Sequence, residues 1–234
     1  MKESTRINEW FVPRFGPLKF RAFIGLLFLP YTFMCISFTI IGSVTSITIF
    51  WDRTIAIILI YFLALGISAH AADNLGSKKN KPWGNYFSEK ELKVMIIGGL
   101  SLAYIIGLYY VLTSAFVLLF IGIIEGFFLF AYNLELFKGF FHNNFWFALS
   151  WGSLPLLAGY IIQTNTISEI ALVSASFAFL ISFIHIRISR RYKSLKKTSP
   201  DNLKANQLEY YLKIISFSTI SFSIFLVLVR VYLL

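Results

Sequence analysis

Residues 66–92 read GISAHAADNLGSKKNKPWGNYFSEKEL, and the fold is decided by how this stretch divides. Its left part closes an apolar run over 54–72. Its right part is a loop with five charges between Asp73 and Glu89, punctuated by Pro82 and Gly84. Ser88 followed three residues later by Glu91 is a capping box, so a new helix starts there. A helix that crosses a hydrocarbon core of about 30 Å needs about 20 apolar residues. Runs of that kind occur at 22–43, 54–72, 93–111, 113–131, 144–163, 168–188 and 211–233. The third and fourth meet at a tight turn near Leu112–Ser114 and form an antiparallel hairpin. The expectation is an all-α, polytopic membrane protein with about seven transmembrane helices and no separate soluble domain. Its segments are 1–21, the two long loops 73–92 and 187–210, and the spans around them.

Composition agrees. The chain is 57% hydrophobic and 14% charged, where a soluble domain is about half apolar and a quarter charged. Of the 21 Lys and Arg, only Arg53 and Arg230 fall on the even side of these spans; the other 19 lie on the odd side. The positive-inside rule then places the N-terminus in the cytoplasm and the C-terminus outside. The net charge of +10 is first a topology signal and second an attraction to anionic headgroups. It does not point to nucleic acid, because the basic residues lie at membrane level. The first 21 residues carry acids, a Trp and two Pro, which is not a signal peptide. Cys35 stands alone in an apolar run and forms no intrachain disulfide. In the second long loop, Ser199, Pro200, Asp201 and Asn202 read as a turn before a helix.

Two stretches carry a family resemblance. Asn80-Lys81-Pro82 and Ser88-Glu89-Lys90-Glu91 stand in the order found after the second helix of UbiA-superfamily intramembrane prenyltransferases. Residues 131–164 are similar to the segment after that family's fourth helix, with Tyr132, Lys138, Gly152, Pro155, Gly159, Tyr160, Gln163 and Thr164 in the pattern. The resemblance covers roughly residues 22–212. It implies a UbiA-like bundle whose functional loops follow helices two and six, a polyprenyl diphosphate donor and a lipophilic acceptor. It also implies two acidic motifs that hold Mg²⁺ against the diphosphate while an allylic cation develops. Here the first motif retains only Asp73. The second is replaced by FIHIRISRRYKSLKK at 183–197, with no acid before Asp201. Hard divalent ions need clustered oxygen ligands, so Mg²⁺ is expected to be absent. The family usually has nine helices, and this chain has room for seven.

The candidate residues follow. Asp73 is the remaining motif acid and the candidate catalytic group. Lys78, Lys79 and Lys81 from one loop, Arg187, Arg190 and Arg191 from the other, and Lys138 from the short loop form a candidate anion site. Arg offers a planar fork to phosphate oxygens and Lys a point charge. The plain alternative is that these cations serve topology alone. His70 and His185 sit one turn from the same ends of their spans and, with Asp73, could face one polar cavity. Glu125 is the acid deepest in a span, so it must be protonated or paired. Gly98-Gly99 and Gly122/Gly126 are helix-packing positions. Three readings stay open: a prenyltransferase of reduced or altered activity, a non-catalytic isoprenoid- or quinone-binding protein, and an accessory subunit of a larger membrane complex.

Overall fold

The computed structural model describes residues 6–77, 81–198 and 202–232. Among these residues every regular element is helical. Helices α1 (Leu18–Leu26) and α2 (Leu29–Val44) make one kinked rod. Helix α3 (Trp51–Tyr61) runs through a π-helical segment, Phe62–Ala69, into α4 (His70–Gly76). Helix α5 (Glu89–Thr113) turns back as α6 (Leu118–Asn133). Helix α7 (Asn144–Ala148) passes through a second π-helical segment, Leu149–Ser153, into α8 (Leu154–Thr164). Two long helices, α9 (Glu169–Thr198) and α10 (Leu203–Tyr232), complete the bundle.

Six stretches are long and apolar enough to cross a membrane: Leu18–Val44, Trp51–Gly76, Glu89–Thr113, Asn144–Thr164, Glu169–Thr198 and Leu203–Tyr232. This is a multi-pass helical membrane protein. The run expected over 113–131 becomes the shorter α6. At 16 residues it is about 24 Å long. It starts late because Ser114–Val117 make a turn, in which the Asn165 side chain accepts from the Val117 amide at 2.9 Å. Even so, α6 starts beside Asn165, at the end of α8, and finishes against Gly76, at the end of α4.

The capping box forms as expected. The Ser88 hydroxyl accepts from the Glu91 amide at 3.2 Å, and the Glu91 carboxylate accepts from the Ser88 amide at 2.8 Å. Lys19 of α1 pairs with the same carboxylate. Of the turn expected at 199–202, residues 199–201 lie outside the described residues, as do Lys78, Lys79 and Asn80. Asn202 opens α10 by accepting from the Lys204 amide at 2.9 Å.

At the opposite end, polar side chains tie the short connections. Gln163 clamps the strap before α3: its Oε1 accepts from the Phe50 amide at 2.8 Å, and its Nε2 donates to Thr54 Oγ1 at 3.0 Å. The two basic residues of this end are both occupied by carbonyls. Arg53 donates to the Ile162 and Gln163 carbonyls at 3.1 Å, satisfying the free end of α8. Arg230 donates to the Ser46 and Ile47 carbonyls at 2.6 and 2.7 Å. Arg53→Ala is expected to loosen this end and lower thermal stability by about 1–3 kcal/mol, the cost of orphaned buried acceptors. Thermal unfolding in detergent would measure it.

Candidate functional site

The end that carries the long loops holds a polar chamber, built around a break in the first rod. Pro30 has no amide hydrogen, and its ring would clash with the carbonyl one turn earlier in an unbroken helix. The chain therefore kinks at Phe28, which adopts a left-handed backbone with φ 45°. A bulky residue there costs about 1–3 kcal/mol, a strain associated with functional sites. The kink swings the Phe28 ring inward. It stacks on Tyr31 at 4.3 Å and meets His70 edge-on at 5.7 Å. Tyr31 in turn meets His185 edge-on at 4.3 Å. The two histidines are thus buried at one end of the bundle but separated by the Phe28–Tyr31 pair, so they do not act on one ligand atom together.

Both π-helical segments border this chamber. Each inserts extra backbone into a turn, and such bulges are frequent at functional sites. The first ends directly before His70. The second carries Trp151, whose ring lies 5.2 Å from His70 and stacks on Phe147 at 5.2 Å. His70 Nδ1 is 3.2 Å from the Gly66 carbonyl, and His185 Nε2 is 3.2 Å from Ser216 Oγ on α10.

The charged groups come next. Asp73 is half-buried on α4, with Lys193, Arg6 and the His142 ring in its neighbourhood. Lys193 and Arg6 both lie by the Phe28 ring. The Lys193 ammonium is 5.6 Å from the ring centre, and the Arg6 guanidinium is 4.9 Å from it and 5.1 Å from that of Trp83. Arg190 donates to the Tyr132 hydroxyl at 3.2 Å and to the His142 carbonyl at 3.4 Å, while His142 stacks on Tyr132 at 4.5 Å. Beside Lys193, a small void of about 20 Å³, room for about one water, is walled by Arg6, Glu9, Tyr31, His185, Ser189 and Ser216.

The expected site residues therefore separate. Asp73, Arg190, His70 and His185 gather at this end. Arg187 and Arg191 are exposed on the opposite face of α9, because a 3.6-residue repeat through His185, Ser189 and Tyr192 turns them outward. Lys138 is exposed in a turn with φ 58°, away from the chamber wall. Lys81 is half-buried in its loop, where its carbonyl accepts from the Gly84 amide at 3.1 Å. Lys78 and Lys79 lie outside the described residues. Glu125 belongs to a different cavity, where it accepts from the Tyr61 hydroxyl at 3.1 Å. Sequence reading missed the cations Arg6 and Lys193, the His142 ring stacked on Tyr132, and Phe28, which organises the chamber. The usable signals were Pro30 inside the first apolar run and the helical spacing of Lys193 from His185 and Ser189.

A divalent cation does not fit this donor set. The one half-buried carboxylate, Asp73, has Arg6 and Lys193 as its neighbouring cations, and Glu9 is engaged by Tyr192 and Lys196. Among the described residues no group of three His, Cys, Asp or Glu side chains could hold a metal ion. The arrangement suits an anion, with aromatic faces beside it and apolar helices below. Set against known proteins, the chain matches no family model, no curated protein and no solved structure.

Proposed function

We propose that the protein is a UbiA-like membrane protein that binds an isoprenoid-type lipid by its phosphate, with the prenyl-transfer chemistry of that superfamily reduced or lost. One observation carries the binding reading: Arg6 and Lys193, from the N-terminal segment and α9, both lie at the Phe28 ring, with Arg190 on the neighbouring Tyr132. Charge-assisted hydrogen bonds from two or three such donors outweigh those from neutral groups. Catalysis would further require a device to neutralise a departing diphosphate, and a single Asp73 among cations is a poor anchor for Mg²⁺. Binding without efficient turnover is what this donor set favours.

The test is lipid occupancy. Arg190→Gln with Lys193→Gln is expected to lower co-purifying phospho-lipid, read by native mass spectrometry, by tenfold or more. Arg187→Gln with Arg191→Gln, on the outward face, is expected to leave it unchanged. Equal occupancy in all three proteins would remove the anion site and favour the accessory-subunit reading.

The orientation belongs to the same proposal. With seven crossings, α6 included, the 19-to-2 split of basic residues puts the chamber on the cytoplasmic side. Ser77→Cys and Ser194→Cys are expected to react with a membrane-impermeant maleimide only after the membrane is opened. Labelling of either in intact cells would invert the assignment.

A further inference from the structure

A second cavity lies midway along the bundle, between α3, α5 and α6. Its volume is about 110 Å³, with further open space at its side. Tyr104 and Leu108 line it and are 48% and 51% exposed, so it opens at the side of the bundle where lipid would lie. Glycines keep it empty. A Cβ on Gly107 would meet only Ile60 Cδ1 at 3.7 Å, and one on Gly122 only Tyr104 Cε1 at 3.9 Å.

Into this apolar groove the bundle places one carboxyl group. Glu125 accepts from the Tyr61 hydroxyl at 3.1 Å, and the Tyr104 hydroxyl is spent on the Gly122 carbonyl at 2.9 Å. No cation is among the described residues that line the groove. A bare carboxylate at that depth costs several kcal/mol, so the neutral acid is the stable form. A neutral carboxyl has one O–H to donate. Among the described residues Tyr61 is the group within hydrogen-bond distance of Glu125, and it already donates. With one hydrogen bond between two O–H groups, one hydroxyl hydrogen of the Tyr61–Glu125 pair is left without an acceptor among the described residues.

We propose that this groove is a second, membrane-open binding site for a neutral lipophilic molecule bearing a carbonyl oxygen. That oxygen accepts from the Glu125 carboxyl, and an apolar tail lies along α5 and α6. A carbonyl is acceptor-only and matches the free donor; a hydroxyl or an ammonium would bring a further donor that the groove leaves unpaired. The site is independent of the phosphate chamber.

The experiment uses 2-decyl-1,4-benzoquinone as probe and dodecylamine as its cationic counterpart. Each is titrated against the purified full chain in detergent, with ligand-induced thermal stabilisation as the readout. The quinone is expected to bind saturably. Glu125→Gln keeps an N–H donor and is expected to hold the Kd within about threefold, whereas Glu125→Leu raises it about tenfold. Gly122→Leu fills the groove with the carboxyl intact and is expected to raise the Kd at least as much; it stands in if Glu125→Leu does not fold. Arg190→Gln with Lys193→Gln is expected to leave quinone binding unchanged, which separates this site from the chamber. Absence of quinone binding to the wild type, an unchanged Kd in Gly122→Leu, or dodecylamine binding that Glu125→Gln abolishes would each overturn the proposal.

Discussion

Gly159→Val is expected to lower the melting temperature of the detergent-solubilised protein by roughly 10 °C or more, the largest stability effect of any single change considered. Helices α2 and α8 cross so closely that a Cβ on Gly159 would strike the Thr39 carbonyl, and one on Gly42 would strike the Leu156 carbonyl and the Tyr160 amide. These are backbone atoms, which cannot rotate aside as a side chain can. The helices would have to part, and the bond from Ser43 Oγ to the Gly159 carbonyl, 3.0 Å long, would be lost with the contact. Overpacking a well-filled interior costs about 1–3 kcal/mol and more where backbone must move. At about 2–4 °C per kcal/mol for a chain of this size, overpacking alone gives about 2–12 °C, and the added cost of parting two backbones carries the shift to the upper end and beyond. Gly98→Ala is the control. Nothing lies within 4 Å of its Cβ, so it should stay within a few degrees of wild type or rise slightly through helix propensity. A Gly159→Val protein as stable as the Gly98→Ala protein would mean that the α2–α8 crossing is wider than described.

The same glycines show what a sequence can and cannot disclose about this chain. Apolar run length announces the spans, because hydrophobic burial in lipid depends on composition, and Ser88 with Glu91 announces a helix start, because capping is local. Gly98 and Gly99 look alike in one dimension. Only their angular positions decide that Gly99 packs on the Leu63 carbonyl and Ser68 while Gly98 faces outward. Arg187, Arg190 and Arg191 look like one cluster, and the helical repeat sends only Arg190 inward. The π-helical segments at Phe62–Ala69 and Leu149–Ser153 carry no residue signature, since they result from packing. They rotate everything beyond them, which is why His70 ends against Trp151. Arg6 reaches the chamber from nearly 190 residues away from Lys193 in the chain, a proximity that tertiary structure alone creates.

The N-terminal segment makes the second large prediction. Removing residues 1–12 is expected to raise the reactivity of a cysteine at Ser189 toward a water-soluble maleimide by at least tenfold in the solubilised protein. Ser189 is 1% exposed and lies in the chamber wall beside Arg6, Tyr31 and Lys193. What covers that wall is a short 3₁₀ turn, Arg6–Asn8, and the residues after it. Ile7 and Val12 are buried, and the Arg6 amide donates to the Pro82 carbonyl at 3.4 Å. Glu9 is the main tether to α9. Its carboxylate accepts from the Tyr192 hydroxyl at 2.8 Å and pairs with Lys196 at 3.7 Å and Arg6 at 3.6 Å. Trp10 adds a ring contact to Phe217 at 6.2 Å and lies 5.0 Å from the Lys213 ammonium. Arg21 holds the exit by donating to the Pro13 and Ile7 carbonyls at 2.7 and 3.0 Å. Ile7, Val12, the part-buried rings of Trp10 and Phe11 and one ion cluster hold it, still less than the packing of a full helix such as α9. The segment is therefore the part of the chamber wall that opens at least cost, while α9 and α10 stay in place. Glu9→Ala removes the tether with the chain intact and is expected to raise labelling by an intermediate factor, with Cys35 replaced by Ser to remove background. Labelling at position 189 that is indifferent to both changes would mean that α9 and α10, not the N-terminal segment, close the chamber.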